Sequence, residues 1–225
     1  MNARVSIVMP VLNEASAIEA SLRCAAQFRQ AGAELIVVDG GSDDATPALC
    51  AGAADIVLQA PRGRARQMNA GAGAASGAAL VFVHADTVLP AAALALVREC
   101  LDAGHAWGRF DVTIAGRSAM LPLIAALMNL RSRLTGIATG DQAIFVRRDV
   151  FDAVGGFPDQ PLMEDIELSK RLRRHGRPAC LSARVVTSGR RWDHFGVWRT
   201  IALMWRLRLL YWLGVPAERL VGAYR

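Results

Sequence analysis

The chain has 225 residues, 53% of them hydrophobic, and a net charge of +6. That length predicts one large domain with a full core, and no run of about 18 uncharged apolar residues exists to cross a membrane. The four cysteines, Cys24, Cys50, Cys100 and Cys180, are too far apart for a metal or redox motif, which predicts small core residues in a reducing cytoplasm.

In chain order, Val5 to Met9 reads as a strand ended by Pro10, with no signal-peptide pattern before it. Asn13 is placed to cap a helix from Glu14 to about Arg29, with Ile18, Leu22 and Ala25 at helical spacing. Glu34 to Val38 is a second buried strand, running into the turn-rich Asp39-Gly-Gly-Ser-Asp-Asp44 and a short helix at Thr46-Pro47. Ile56 to Leu58 is a third strand, and Arg62 to Gly77 is a helix whose small residues permit close packing. Ala79 to Val83 is a continuous apolar run, as expected of a strand buried on both faces.

That run stops at His84-Ala85-Asp86-Thr87. Ligands of parallel sheets bind beyond the carboxyl ends of strands, and residues two apart in extended chain point the same way. His84 and Asp86 thus form either a divalent-cation corner or the cap of a following helix.

Pro90 to Leu101 then reads as a helix, Trp107 to Ile114 as a half-exposed strand, and Ser118 to Leu134 as an apolar helix lining a core or an acceptor cleft. Gly140 to Val146 is a strand, Met163 to His175 a helix closed by Gly176, and Pro178 to Val186 a last strand. Phe195 to Leu213 is one long helix with Trp198, Ile201, Trp205, Leu209 and Trp212 in a stripe beside Arg199, Arg206 and Arg208. That stripe packs on its own domain, on a second subunit, or on a membrane surface. The alternation of strands and helices predicts an α/β sheet covered on both faces, with 1–194 as the domain and 195–225 as a helical extension.

From Lys170 onward 13 basic residues face only Asp193 and Glu218. With no nucleic-acid motif in the chain, this points to phosphate-bearing small molecules or a membrane surface. Three acidic clusters follow strand-like segments: Asp39 with Asp43, Asp86, and Glu164-Asp165. Carboxylates with a cation, facing Arg62, Arg64, Arg66, Arg190 and Arg191, are what binding and breaking a nucleotide diphosphate requires. Each charge taken alone reads as a solvated loop residue; it is the ordered set that points to the diphosphate.

The segments SIVMPVLNE, ELIVVDGGSDDAT, ARQMNAGAGAASG and VFVHADT, followed by GDQAIFVRRDVFDAVGGFPDQPLMEDIELSKRL, together resemble family 2 glycosyltransferases of the GT-A fold over roughly residues 4–175. The resemblance implies a GT-A (Rossmann-like) mixed sheet and a nucleotide-sugar-dependent transferase. It implies donor contacts at Pro10, Asn13, Glu14, Asp39, Ser42, Asp43, Arg64, Met68, Asn69, His84 and Asp86, with Gly71 beside them. Asp86 matches the metal-contacting member of the family's Asp-x-Asp, and His194 is either the further metal-binding histidine that relatives often carry late in the chain or a surface histidine. A divalent metal is therefore expected. With His84 in place of the first Asp, Mn²⁺ suits the imidazole while Mg²⁺ prefers oxygen.

Glu164-Asp165 matches the acidic pair that supplies the base in inverting members. Only Arg191-Trp192 survives of the Gln-x-x-Arg-Trp of processive members, which argues against a polysaccharide synthase.

HADT, GDQ, the MEDxEL segment and a YWLG-like tail resemble the subgroup of selenosugar synthases in selenoneine biosynthesis. This implies a UDP-sugar donor, UDP-N-acetylglucosamine or UDP-glucose, and selenophosphate as acceptor. Selenophosphate is already an anionic nucleophile, so it needs cations more than a base. Arg190 and Arg191 are the candidates, with Arg109 and Arg147 behind them, and acceptor contacts are expected at Asp141, Gln142, Arg190, Arg191 and Trp192. Arg191 joins Glu164 and Asp165 in the expected catalytic set. Two alternatives stand beside this reading: an inverting transferase acting on an alcohol of a lipid or small metabolite, and a non-catalytic nucleotide-sugar-binding protein. A homodimer and peripheral membrane contact are compatible with each.

Overall fold

The computed structural model describes residues 4–224, so Arg225 of the basic tail lies outside the described residues. The eight strands are β1 (Val5–Val11), β2 (Glu34–Asp39), β3 (Ile56–Gln59), β4 (Ala79–Phe82), β5 (Thr87–Val88), β6 (Trp107–Ala115), β7 (Phe145–Arg147) and β8 (Ala179–Ser188). They form one mixed sheet in the order β3-β2-β1-β4-β7-β6-β8-β5. The first four are mutually parallel, and β7 runs antiparallel to both β4 and β6. This is the GT-A-like α/β arrangement expected from the sequence.

Helices cover both faces. On one, α1 (Ile18–Gln30), α4 (Ala93–Asp102) and α5 (Leu121–Thr135) pack Ile18, Leu22, Leu94, Val97, Leu121 and Ile124 against Val5, Ile7, Met9 and Val81. On the other, α3 (Arg64–Ala74), α6 (Arg148–Ala153) and α7 (Glu164–Leu172) pack Met68, Ala72, Phe151, Leu168 and Leu172 against Val8, Ile36, Val38 and Phe82. Alternate residues of β1 thus feed opposite cores, which is why its sequence is apolar without a break. Gly71 of α3 is the close-contact point: a Cβ there would lie 2.5 Å from Val8 and 2.9 Å from Val38.

Several sequence expectations are corrected. Pro10 lies inside β1, opposite Val38 of β2. Gly40 N donates to Val11 O while Val83 N donates to Val8 O, so Pro10 faces the β4 side, and its missing N–H lets β1 and β4 part there. Asn13 is no helix cap: it sits at φ +53, and α1 starts only at Ile18. Its Oδ1 accepts from Asp43 N.

β6 is buried along most of its length because Arg109, Asp111, Arg133 and Ser132 satisfy one another inside. Gly140–Gln142 forms a 3-10 turn rather than a strand, held by reciprocal bonds between Thr139 and Gln142. α5 buries Leu121, Ile124 and Ala125 but turns Leu123, Leu127, Leu130 and Leu134 outward. The long terminal helix forms as α9 (Val197–Trp212); a short α8 (Arg190–Phe195), not expected from the sequence, precedes it across Gly196, φ +80, and α10 (Ala217–Tyr224) follows. A short α2 (Thr46–Ala51) completes the set.

Candidate active site

Strand β1 leads through α1 to β2 on one side, while β4 pairs on its other side. The carboxyl ends of β1 and β4 are therefore the switch point at which open α/β sheets bind ligands. A cleft of about 610 Å³ opens there. It is lined by Pro10, Val11, Leu12 and Glu14 from the end of β1, by Arg62 to Gln67 at the start of α3, and by His84, Ala85 and Asp86 after β4. Asp159, Gln160, Pro161, Arg190, Glu218 and Val221 close it. Gln67, unnoticed in the sequence, is 3% exposed and donates through Nε2 to both Val11 O and Val38 O at 2.8 Å, tying the two strand ends together.

Arg190 crosses the cleft. Its Nη2 stands 2.8 and 2.6 Å from the two Glu14 carboxylate oxygens and 3.4 Å from Asp86 Oδ2. Desolvation works against its charge, but Glu14 and then Asp86 outweigh it and hold the guanidinium pKa above its ordinary value.

A second group gathers beside the end of β4. Gly140 N donates to Asp165 Oδ2 at 2.9 Å, and His84 Nδ1 stands 3.6 Å from Asp141 Oδ1. Burial pushes the Glu164 carboxyl up, and the Asp165 charge pushes it further. Burial likewise raises Asp165, against the hydrogen bonds it accepts from Gly140 and Ile166. Asp141 goes the other way, because His84, Arg64 and Arg131 together outweigh its desolvation. Desolvation opposes the charge on Arg64, yet Tyr224, Glu164 and Asp141 hold its pKa up. One acid pair biased toward its protonated form thus adjoins one carboxylate biased toward its charged form, a division suited to acid–base work.

The sequence reading missed Arg131. Its Nε and Nη2 are buried without hydrogen-bond partners, and the electrostatic influence of Asp165 and Asp141 reaches it. The signal was its spacing, seven residues after Ile124 on the inward stripe of α5.

The structure brings Pro10, Glu14, Arg64, His84, Asp86 and Arg190 to the cleft. The other expected residues stand elsewhere. Asp39 is 1% exposed and accepts hydrogen bonds from Gly41 N, Ser42 N and Ser42 Oγ. Asn13, Ser42 and Asp43 bond one another beside it. Met68 packs in the core, and Asn69 exchanges two hydrogen bonds with the backbone of Phe157. Gln142 is buried on Asn129, and Trp192 lies against the core. Arg109 is sealed on Asp111, and Arg147 pairs with Asp149.

Arg191 donates to Tyr224 O at 2.7 Å and lies 4.0 Å over the Tyr224 ring, so it anchors α10. His194 lines a separate shallow cavity with Arg117, Arg190, Arg191, Asp193 and Phe195. Asp86 and His194 therefore line different cavities, with Arg190 lining both. Among the described residues, no group of three or more His, Cys, Asp or Glu side chains is placed to hold a metal ion.

Among the described residues, three non-glycine residues carry left-handed backbone, and all flank this region: Asn13 before Glu14, Ala143 after Gln142 and Met163 before Glu164. Such strain persists where surrounding contacts fix it, often at functional sites.

Residues 6–155 match the model of glycosyl transferase family 2. No curated protein matches the sequence. Among solved structures, the S. aureus TarS 1–349 fragment superposes with a TM-score of 0.68 at 19% identity, over 82% of this chain and 60% of that one. The mannosyltransferase PcManGT from Pyrobaculum calidifontis, in complex with GDP-Man and Mn²⁺, gives 0.67 at 23% identity over 92% and 60%. Glucosyl-3-phosphoglycerate synthase from Mycobacterium tuberculosis, with Mn²⁺, UDP and glucosyl-3-phosphoglycerate, gives 0.64 at 22% over 95% and 81%. The chain spans about 60% of the length of the TarS fragment. At these identities the likeness is one of fold.

Proposed function

The chain belongs to glycosyl transferase family 2, and on that premise we propose that it moves a sugar from a UDP-sugar to a small anionic acceptor, selenophosphate, to give a selenosugar. The observation that carries this reading is the cleft at the β1/β4 switch point, lined by Asp86 together with Arg62, Arg64, Arg66 and Arg190. UDP-N-acetylglucosamine and UDP are bound in complexes of S. aureus TarS, which supports a UDP-sugar here. UDP-N-acetylglucosamine and UDP-glucose are the donors to test.

The residues fit a divalent cation shared with the donor rather than caged by protein. Asp86 supplies a carboxylate and His84 an imidazole at the same strand end, and Mg²⁺ and Mn²⁺ commonly complete such sets with substrate phosphates. The ion would neutralise charge on the departing diphosphate. Arg190 would then exchange its Glu14 and Asp86 partners for donor phosphate oxygens.

In the transfer step the acceptor selenium forms a bond to the anomeric carbon. The bond from that carbon to the diphosphate oxygen breaks, and UDP leaves with the electron pair. Arg64 and Arg131 would hold the anionic acceptor, and no proton need be removed from it. Glu164 and Asp165 would serve a later step, activating water to release phosphate from the selenium.

A second reading is favoured by Asp165 itself. A carboxylate with a raised pKa is a better general base, and only an alcohol acceptor requires one. The deciding experiment incubates the protein with each UDP-sugar and with selenophosphate, thiophosphate or simple alcohols, with and without Mn²⁺, and reads products by mass spectrometry. A sugar–selenium product with equimolar UDP is expected. Turnover of alcohols alone overturns the anionic-acceptor reading, and absence of UDP release with every acceptor overturns the catalytic one.

A further inference from the structure

The outward face of α9 is apolar. Trp198, Trp205, Leu209 and Trp212 are 74%, 76%, 56% and 79% exposed. At 3.6 residues per turn they fall within one sector of about 60°. The opposite side holds Thr200 and Leu207, both buried, and Leu207 packs with Leu162, Met163, Ala217 and Leu220. The helix is therefore already anchored to the domain by its other side, and the tryptophans are left over.

Charge selects what covers them. Arg199 and Arg206 fall along one border of the stripe and Arg208 along the other, and no acidic residue occurs between Asp193 and Glu218. A second copy of the chain laid against the stripe would bring two sets of three arginines together with no carboxylate on either helix, which opposes pairing. An anionic lipid surface suits both features. Indoles are at home at the membrane–water boundary, and bordering arginines then lie at the level of the headgroups. No helix among the described residues is long and apolar enough to cross a membrane, so the contact is peripheral.

We propose that α9 docks the protein on an anionic bilayer surface, with Trp198, Trp205 and Trp212 entering the acyl boundary and Arg199, Arg206 and Arg208 on lipid phosphates. The docking is independent of which acceptor the cleft takes. It is continuous with the cleft through the small core beneath α9, since α10, seated on that core, supplies Glu218 and Val221 to the cleft wall.

The test sediments the whole chain with vesicles of phosphatidylglycerol and phosphatidylcholine in equal parts, and with phosphatidylcholine alone. Co-sedimentation with the mixed vesicles, a blue shift of tryptophan emission and release by salt are expected. Replacing Arg199, Arg206 and Arg208 together by Gln should weaken partition on the order of 100-fold. Trp→Ser at 198, 205 and 212 should abolish it. Both variants change exposed or half-exposed side chains, and circular dichroism checks that they fold. No binding to the mixed vesicles overturns the proposal. So does binding that survives the tryptophan changes, or a dimer in solution that those changes dissolve while vesicles are ignored.

Discussion

Gly140→Ala tests whether the cluster beside β4 is built as described. The new Cβ would press on His84 Nε2 and lie 2.5 Å from His84 Cε1, a separation real Cβ atoms do not show. The His84 side chain is only 13% exposed and has little room to turn. The other way out is for residue 140 to shift, which loosens the hydrogen bond from its N–H to Asp165 at 2.9 Å. Overpacking costs about 1–3 kcal/mol, and leaving this buried hydrogen bond unmade also about 1–3 kcal/mol. Either route gives a loss of about 1–3 kcal/mol and a fall in Tm of roughly 2–12 °C for a chain of this size. The first route displaces His84, proposed to hold the cation in the transfer step, and a displacement of about 1 Å costs roughly 100-fold in rate. Calorimetry and UDP release on the same preparation are the assays. An unchanged Tm together with an unchanged rate would refute the placement of His84, Gly140 and Asp165.

Two further outcomes are expected. Alanine at Gly71 meets Val8 and Val38 and should destabilise by about 1–3 kcal/mol. Alanine at Gly73, two positions along the same helix, meets nothing within 4 Å and should stabilise by about 0.4–1 kcal/mol, so chemical denaturation of the pair should give opposite signs. Burial and Asp165 raise the Glu164 pKa, so its contribution to stability is full below the ordinary carboxylate value of about 4.3 and is lost as pH rises through the folded value. Glu164→Gln should therefore raise Tm above wild type near neutral pH, with the gap closing toward acid. A gap that widens toward acid would contradict the burial of Glu164.

The parallel half of the sheet was legible because two-faced burial writes itself as unbroken apolar runs, as in Leu35 to Val38 and Leu80 to Val83. Asp86 was legible for the same reason, by its position where such a run stops. What the sequence concealed is pairing between distant residues. Arg190 and Glu14 lie 176 positions apart, and nothing local marks them as partners. Alternation in β6 suggested an exposed face, because the polar set inside it is satisfied by Ser132 and Arg133 of a helix met only later in the chain. The basic tail makes Arg191 a candidate anion holder. Its guanidinium instead goes to Tyr224, which local patterning could not reveal.

The cleft has two kinds of wall. Pro10 to Glu14, Arg62 to Gln67 and His84 to Asp86 belong to the segment matched by the family model, whereas Asp159, Gln160, Pro161, Arg190, Glu218 and Val221 fall outside it. The second set rests partly on a satellite core of five buried residues rather than on the sheet. Changes in α10 can therefore remodel the space beside the strand ends without disturbing a strand, and descent can retune what enters the cleft at little risk to folding.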